Sequence, residues 1–70
     1  MTTNQASARI FRYVRNFRKL NQKQLAVKLR VNQSTISKVE QAKHFPSPIV
    51  LKRLEEYMNT SFADLARLAR

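Results

Sequence analysis

The stretch Gln22–Glu40, QKQLAVKLRVNQSTISKVE, holds two short helical patterns with almost nothing between them. In its first half Leu25, Ala26 and Leu29 recur at helical spacing and mark an inward face. Asn21 is a good N-cap for that helix, and Gln24 stands three residues on, as a capping box requires. The pattern ends near Arg30. Asn32 can cap a second helix only two residues later, with Ile36 and Val39 at its inward positions and Val31 plugging the turn. Two short helices so close in sequence must cross steeply rather than fold back side by side. The second half also has an unusual chemistry for a basic chain. It opens with neutral hydrogen-bonding side chains, Asn32, Gln33, Ser34, Thr35 and then Ser37, and has one cation, Lys38.

On the N-terminal side, Ile10, Phe11, Val14 and Phe17 form one apolar stripe, while Arg9, Arg12, Asn16 and Lys19 fall on a different face. That helix is expected to begin between Thr3 and Ser7, either of which could cap it. On the C-terminal side, QAKHFP reads as a loop. Ser47 caps the next helix, and Pro48 takes the first helical position, where its missing N–H costs nothing. Val50, Leu51, Leu54 and Met58 are its core face, and Asn59 is a natural stop because asparagine tolerates the left-handed region. Ser61 caps a last helix, with Asp64 completing an S-x-x-D box and Phe62 and Leu65 pointing in. The expectation is an all-α single domain over residues 1–70, with helices near 6–19, 22–29, 33–41, 48–58 and 62–69. Glycine is absent and the two prolines, Pro46 and Pro48, lie together, which argues against hairpins and sheets.

Seventy residues make one small, marginal core. With no cysteine and one histidine, His44, the chain offers neither a disulfide nor a metal site, and no cofactor is expected. His44 has no cysteine and few carboxylates with which to build a catalytic constellation, so an enzyme is not expected. The longest apolar runs are three residues, too short to span a membrane, and the polar start MTTNQASAR does not read as a leader. A cytoplasmic, nucleoid-associated protein is expected. Lys and Arg number 14 against 4 Asp and Glu, and the excess is one-sided. Residues 1–39 hold nine basic groups and no acid, whereas residues 40–70 are nearly neutral. A field of that kind suits a polyanion.

Gln22, then Leu25-Ala26, Leu29, Val31, Ile36, Val39 and Glu40, with Pro46 six residues further on, resemble the helix-turn-helix of the phage repressor and Cro (XRE-type) family. Leu51, Leu54, Met58, Phe62 and Leu65 continue the family's fourth and fifth helices, so the resemblance covers roughly residues 8–66. It implies a compact five-helix, lambda-repressor-like domain with the helix-turn-helix at helices 2 and 3. The small Ala26 fits the point where two helices crossing at about 90–120° touch. Two positions depart from the family pattern: Arg30 stands where the turn usually has glycine, and Ala42 stands where glycine usually follows the glutamate. A non-glycine residue in left-handed geometry costs about 1–2 kcal/mol.

The resemblance also implies a site. In such folds the second helix of the pair enters the DNA major groove with its N-terminal residues against base edges. Base edges are neutral donors and acceptors that amides and hydroxyls match, and lysine suits guanine. Gln33, Ser34, Ser37 and Lys38 are therefore expected to read bases, with Thr35 behind them. Asn21 and Gln22, at a helix start that favours anions, are assigned to phosphate, as are Lys43 and His44 in the loop. Glu40, the first acid in the chain, is assigned as the structural partner of Arg15, which it would turn toward a phosphate. The plainer alternatives are a polar helix surface, a simple cap at Asn21 and a solvated loop at Lys43 and His44.

The expected function is a sequence-specific DNA-binding transcriptional regulator, a repressor binding a palindromic operator on double-stranded DNA as a homodimer that forms on the DNA. Tyr57, Asn59, Thr60 and Leu68, in the nearly neutral C-terminal part, are the candidate dimer interface. No small-molecule effector or membrane partner is expected. The rivals are a nonspecific nucleoid protein that coats nucleic acid and an antitoxin- or antirepressor-type module that binds another protein. A coating protein has no need for a neutral edge-reading helix; exposure of Tyr57 and Leu68 would favour the interaction module.

Overall fold

Four helices start on a side chain that accepts a backbone N–H of their own first turn: Thr2 from Gln5, Asn21 from Gln24, Ser47 from Val50 and Ser61 from Asp64. At Thr2 and Asn21 the glutamine three residues on returns the bond, so both capping boxes are closed. The computed structural model describes residues 2–70. In chain order the helices are α1 (Thr3–Arg18), α2 (Gln22–Leu29), α3 (Gln33–Glu40), α4 (Pro48–Met58) and α5 (Phe62–Leu68), with no strand among the described residues.

Several local expectations are corrected. The first helix begins at Thr3, the early edge of the expected Thr3–Ser7 range and ahead of the rough bound at residue 6, and its cap is Thr2 rather than Thr3 or Ser7. It ends at Arg18, since Lys19 is already left-handed. Asn32 holds the N-cap position of α3 with an extended backbone, but its side chain makes no cap hydrogen bond. That helix stops at Glu40 and α5 stops at Leu68, one residue short of expectation in each case. Ser61 makes its half of the box, while the Asp64 carboxylate pairs with Arg67 instead. Phe17 lies on the apolar stripe of α1 yet is 60% exposed, because the last turn of that helix outruns the core beneath it.

The core is one cluster built from Ile10, Phe11 and Val14 of α1, Leu25, Ala26 and Leu29 of α2, Ile36 and Val39 of α3, Val50, Leu54 and Met58 of α4, and Leu65 of α5. Leu51 is only half-buried. Ala26 is 3% exposed at the crossing of α2 and α3, where a larger side chain would push the helices apart.

Four helix ends turn through a left-handed residue, and none of the four is glycine: Lys19 (φ 57°), Arg30 (φ 58°), Ala42 (φ 61°) and Asn59 (φ 51°). Each carries both bonds of a Schellman turn. After α2, Val31 N–H reaches Ala26 O at 3.0 Å and Arg30 N–H reaches Val27 O at 3.1 Å. After α3, Lys43 N–H reaches Lys38 O and Ala42 N–H reaches Val39 O, both at 3.0 Å. The two departures from the family's glycines therefore keep the glycine geometry, at the steric cost of a Cβ.

Candidate nucleic-acid interface

Burying Ile36, Val39 and Glu40 leaves the other side of α3 to solvent. Gln33, Ser34 and Lys38 are exposed there. Ser37 and Thr35 are half-buried, and the Ser37 hydroxyl accepts from Gln41 Nε2 at 2.8 Å. The helix thus presents one amide, one ammonium and three hydroxyls in its first two turns, of which Ser34 is exposed, Thr35 is half-buried and Ser37 is engaged by a neighbour.

Beneath this face lies a buried charge. Glu40 is 4% exposed. Arg15 grips its carboxylate with both prongs, Nε to Oε2 at 2.6 Å and a terminal nitrogen to Oε1 at 2.7 Å. Gln22 Nε2 adds a longer bond to Oε1 at 3.4 Å, so α1, α2 and α3 meet at one carboxylate. The hydrogen bonding that Arg15 donates to Glu40 raises the Arg15 pKa above its already high value; partial burial opposes this and the opposite charge adds to it. Arg15 also donates to Leu20 O at 3.3 Å, and Arg12 donates to Glu40 O. A bidentate, multiply bonded pair fixes the ends of three helices relative to one another.

The other candidate residues are distributed as follows. Asn21 is exposed and holds the α2 cap; Gln22 is half-buried with its amide turned to Glu40. Lys43 and His44 are exposed in the loop directly after α3. Arg15 and Gln22 therefore meet Glu40 at the C-terminal end of α3, with Asn21 beside Gln22 in sequence, and Lys43 and His44 follow that same end of α3 in the loop. Thr60 and Leu68 line a common shallow recess with Asp64 and Arg67, and Leu68 is 57% exposed. Asn59 and Thr60 border a second recess with Glu55 and Glu56. Tyr57 stands apart from both, under the Arg18 guanidinium at 5.3 Å from its ring centre.

Sequence reasoning missed three groups. Arg53 of α4 donates to Leu29 O at 3.4 Å and Arg30 O at 3.0 Å, across the turn between α2 and α3. Asn4 of α1 donates to Ala42 O at 3.3 Å. Tyr13 and Phe17 stack at 5.9 Å between centroids, with Arg18 over Phe17. The one available signal was spacing: Arg53 follows the inward Val50 by three residues, which puts a cation at the edge of the core.

Among the described residues no group of three or more His, Cys, Asp or Glu side chains could hold a metal ion, and no helix is long and apolar enough to cross a membrane. A family model described as helix-turn-helix matches residues 11–65, a span that takes in the second half of α1, all of α2, α3 and α4, and the Arg15–Glu40 pair. Comparison with curated proteins and with solved structures returned no match.

Proposed function

The chain belongs to the XRE/Cro-type helix-turn-helix family, and from that membership we propose that it is a sequence-specific transcriptional repressor reading a palindromic operator as a homodimer. Membership itself implies a DNA partner, and the family is typically not enzymatic. The observation that carries the finer reading is the exposed side of α3. Gln33, Ser34 and Lys38 stand clear there, backed by the bidentate Arg15–Glu40 pair.

In this reading α3 lies in the major groove. Gln33 pairs with adenine, Lys38 donates to guanine O6 or N7, and Ser34 and Ser37 contact base edges beside them. Asn21 and Gln22 at the start of α2 face phosphate, as do Lys43 and His44 after α3, and Arg15 extends the phosphate-facing charge. Glu40 does not repel the backbone because it is buried and neutralised by Arg15. A bound dimer overlapping a promoter excludes polymerase sterically. Such a protein is found with the nucleoid.

Selection of bound sequences from a random DNA pool tests this directly. Recovery of a two-fold symmetric consensus supports the reading. Recovery of unbiased sequence, with affinity set by salt alone, would make it a coating protein that uses the +10 charge without reading bases.

A further inference from the structure

The turn that joins α2 to α3 decides where the reading helix points. Its pivot is Arg30, whose backbone sits in the left-handed region at φ 58° with a Cβ in place of glycine's hydrogen. The peptide on one side of this pivot ends in Leu29 O and the peptide on the other ends in Arg30 O. One terminal nitrogen of Arg53, reaching across from α4, donates to both. Holding the two peptide planes that flank a residue fixes both of its backbone torsions.

We propose that Arg53 is a positioning residue for base reading: it clamps the two peptides around Arg30 and so fixes the angle at which α3 leaves α2. Both flanking peptides are held at Arg30, whereas single side-chain donors stand at or near the other left-handed turns. At the other end of α3 the left-handed Ala42 has its carbonyl held by Asn4, and beside it Glu40 O is held by Arg12. After α1 the left-handed Lys19 is followed by Leu20, whose carbonyl is held by Arg15. At Asn59, a residue type that tolerates the left-handed well, the neighbouring donor is local, Thr60 Oγ1 to Met58 O at 2.9 Å. Side chains from α1 and α4 therefore bear on the turns at both ends of the reading helix, and the one from α4 holds both peptides of its turn. The Arg53 charge also lies at the negative end of the α2 dipole, which favours it there.

The role in reading rests on the DNA-binding function proposed above, so the test has one arm without DNA. Arg53→Met keeps the stem and removes the donors. In the free protein, amide exchange at Arg30 and Val31 should quicken about tenfold in this variant, the worth of one charge-assisted hydrogen bond, with core amides little changed. Adding Arg30→Gly should restore protection, because glycine enters the left-handed region without being held. With the sequence recovered by selection, Arg53→Met should lose about tenfold in the ratio of selected to unrelated DNA affinity, while unrelated DNA loses about threefold or less. The double variant should recover the ratio. Arg53→Lys, which keeps a donor in reach, should stay near the parent.

Equal losses on both DNAs with no recovery on Arg30→Gly would make Arg53 a long-range charge and overturn the proposal. Exchange that quickens uniformly would overturn it as well. Should Arg53→Met fail to fold, the double variant carries the test: a folded, protected double variant supports the clamp, and an unfolded one overturns it. Exchange that responds as expected in a protein with no sequence preference would leave the clamp standing and defeat the reading function instead.

Discussion

Lys38 and Gln33 occupy the exposed side of α3 and differ in the base edge that each can satisfy. Lys38→Ala should relax preference at one operator position and cost about 1–3 kcal/mol there. Affinities for a panel of single-base operator variants check this, and an equal loss on every sequence would reassign Lys38 to phosphate. Glu40→Ala removes the acceptor for both prongs of Arg15 and leaves that cation one-fifth exposed and unpaired. Water reaches it, so the loss falls below that of a fully buried pair, about 2 kcal/mol in urea unfolding. A variant of unchanged stability that binds DNA more tightly would show that the pair is not structural. Arg30→Gly acts in the opposite direction. Removing the Cβ relieves the left-handed backbone, while glycine's extra freedom when unfolded takes back part of the gain. The net should be near 1 kcal/mol, about 4–8 °C in the thermal midpoint of so small a domain. A lower midpoint would mean that the Arg30 side chain contributes more than its backbone geometry costs.

The helices show which of their features can be read locally. Asn21 and Asn32 are asparagines at successive N-caps, yet only Asn21 makes the bond. Asn21→Ala should therefore cost about 1 kcal/mol, and Asn32→Ala less than about 0.5 kcal/mol, in the same denaturation assay. Equal losses would mean that Asn32 caps in solution. The caps at Asn21, Ser47 and Ser61 and the inward faces of α2, α3 and α4 were legible because they depend on spacings of three or four residues. Asn32 was not, because the type of residue suits the role but its rotamer is set elsewhere. Phe17 was not, because spacing gives a face but not the length of core beneath it. At the site, the exposed side of α3 followed from its buried side. Arg15 and Glu40 are 25 residues apart, and the resemblance, not the spacing, joined them. Arg53 is 23 residues from Arg30 and binds only backbone there, so its spacing from Val50 put it at the edge of the core but could not put it on the turn.

At the scale of the molecule, one reading helix spans too few base pairs to be specific in a genome, and the described chain measures only 26 × 25 × 22 Å. Specificity is expected from symmetry, with two copies placing their α3 helices about 34 Å apart on a palindrome. The nearly neutral C-terminal part, with Leu68 exposed, is where two such cations can approach. Titration should saturate at two chains per full site, and an isolated half-site should bind far more weakly. Saturation at one chain per site, or equal half-site affinity, would remove the dimer from the account. The glycine-free turns reach further than geometry. Lys19, Arg30 and Ala42 each hold a conformation that costs about 1–2 kcal/mol, in a chain whose whole stability is of the order of 5 kcal/mol. Each 1.4 kcal/mol given up multiplies the opened fraction by about ten, and opened chains are what cellular proteases cut. If the chain acts as the repressor proposed above, it should be cleared quickly once its synthesis stops and release its target genes without any inducer; a pulse-chase in which Arg30→Gly decays no more slowly than the parent would sever that link.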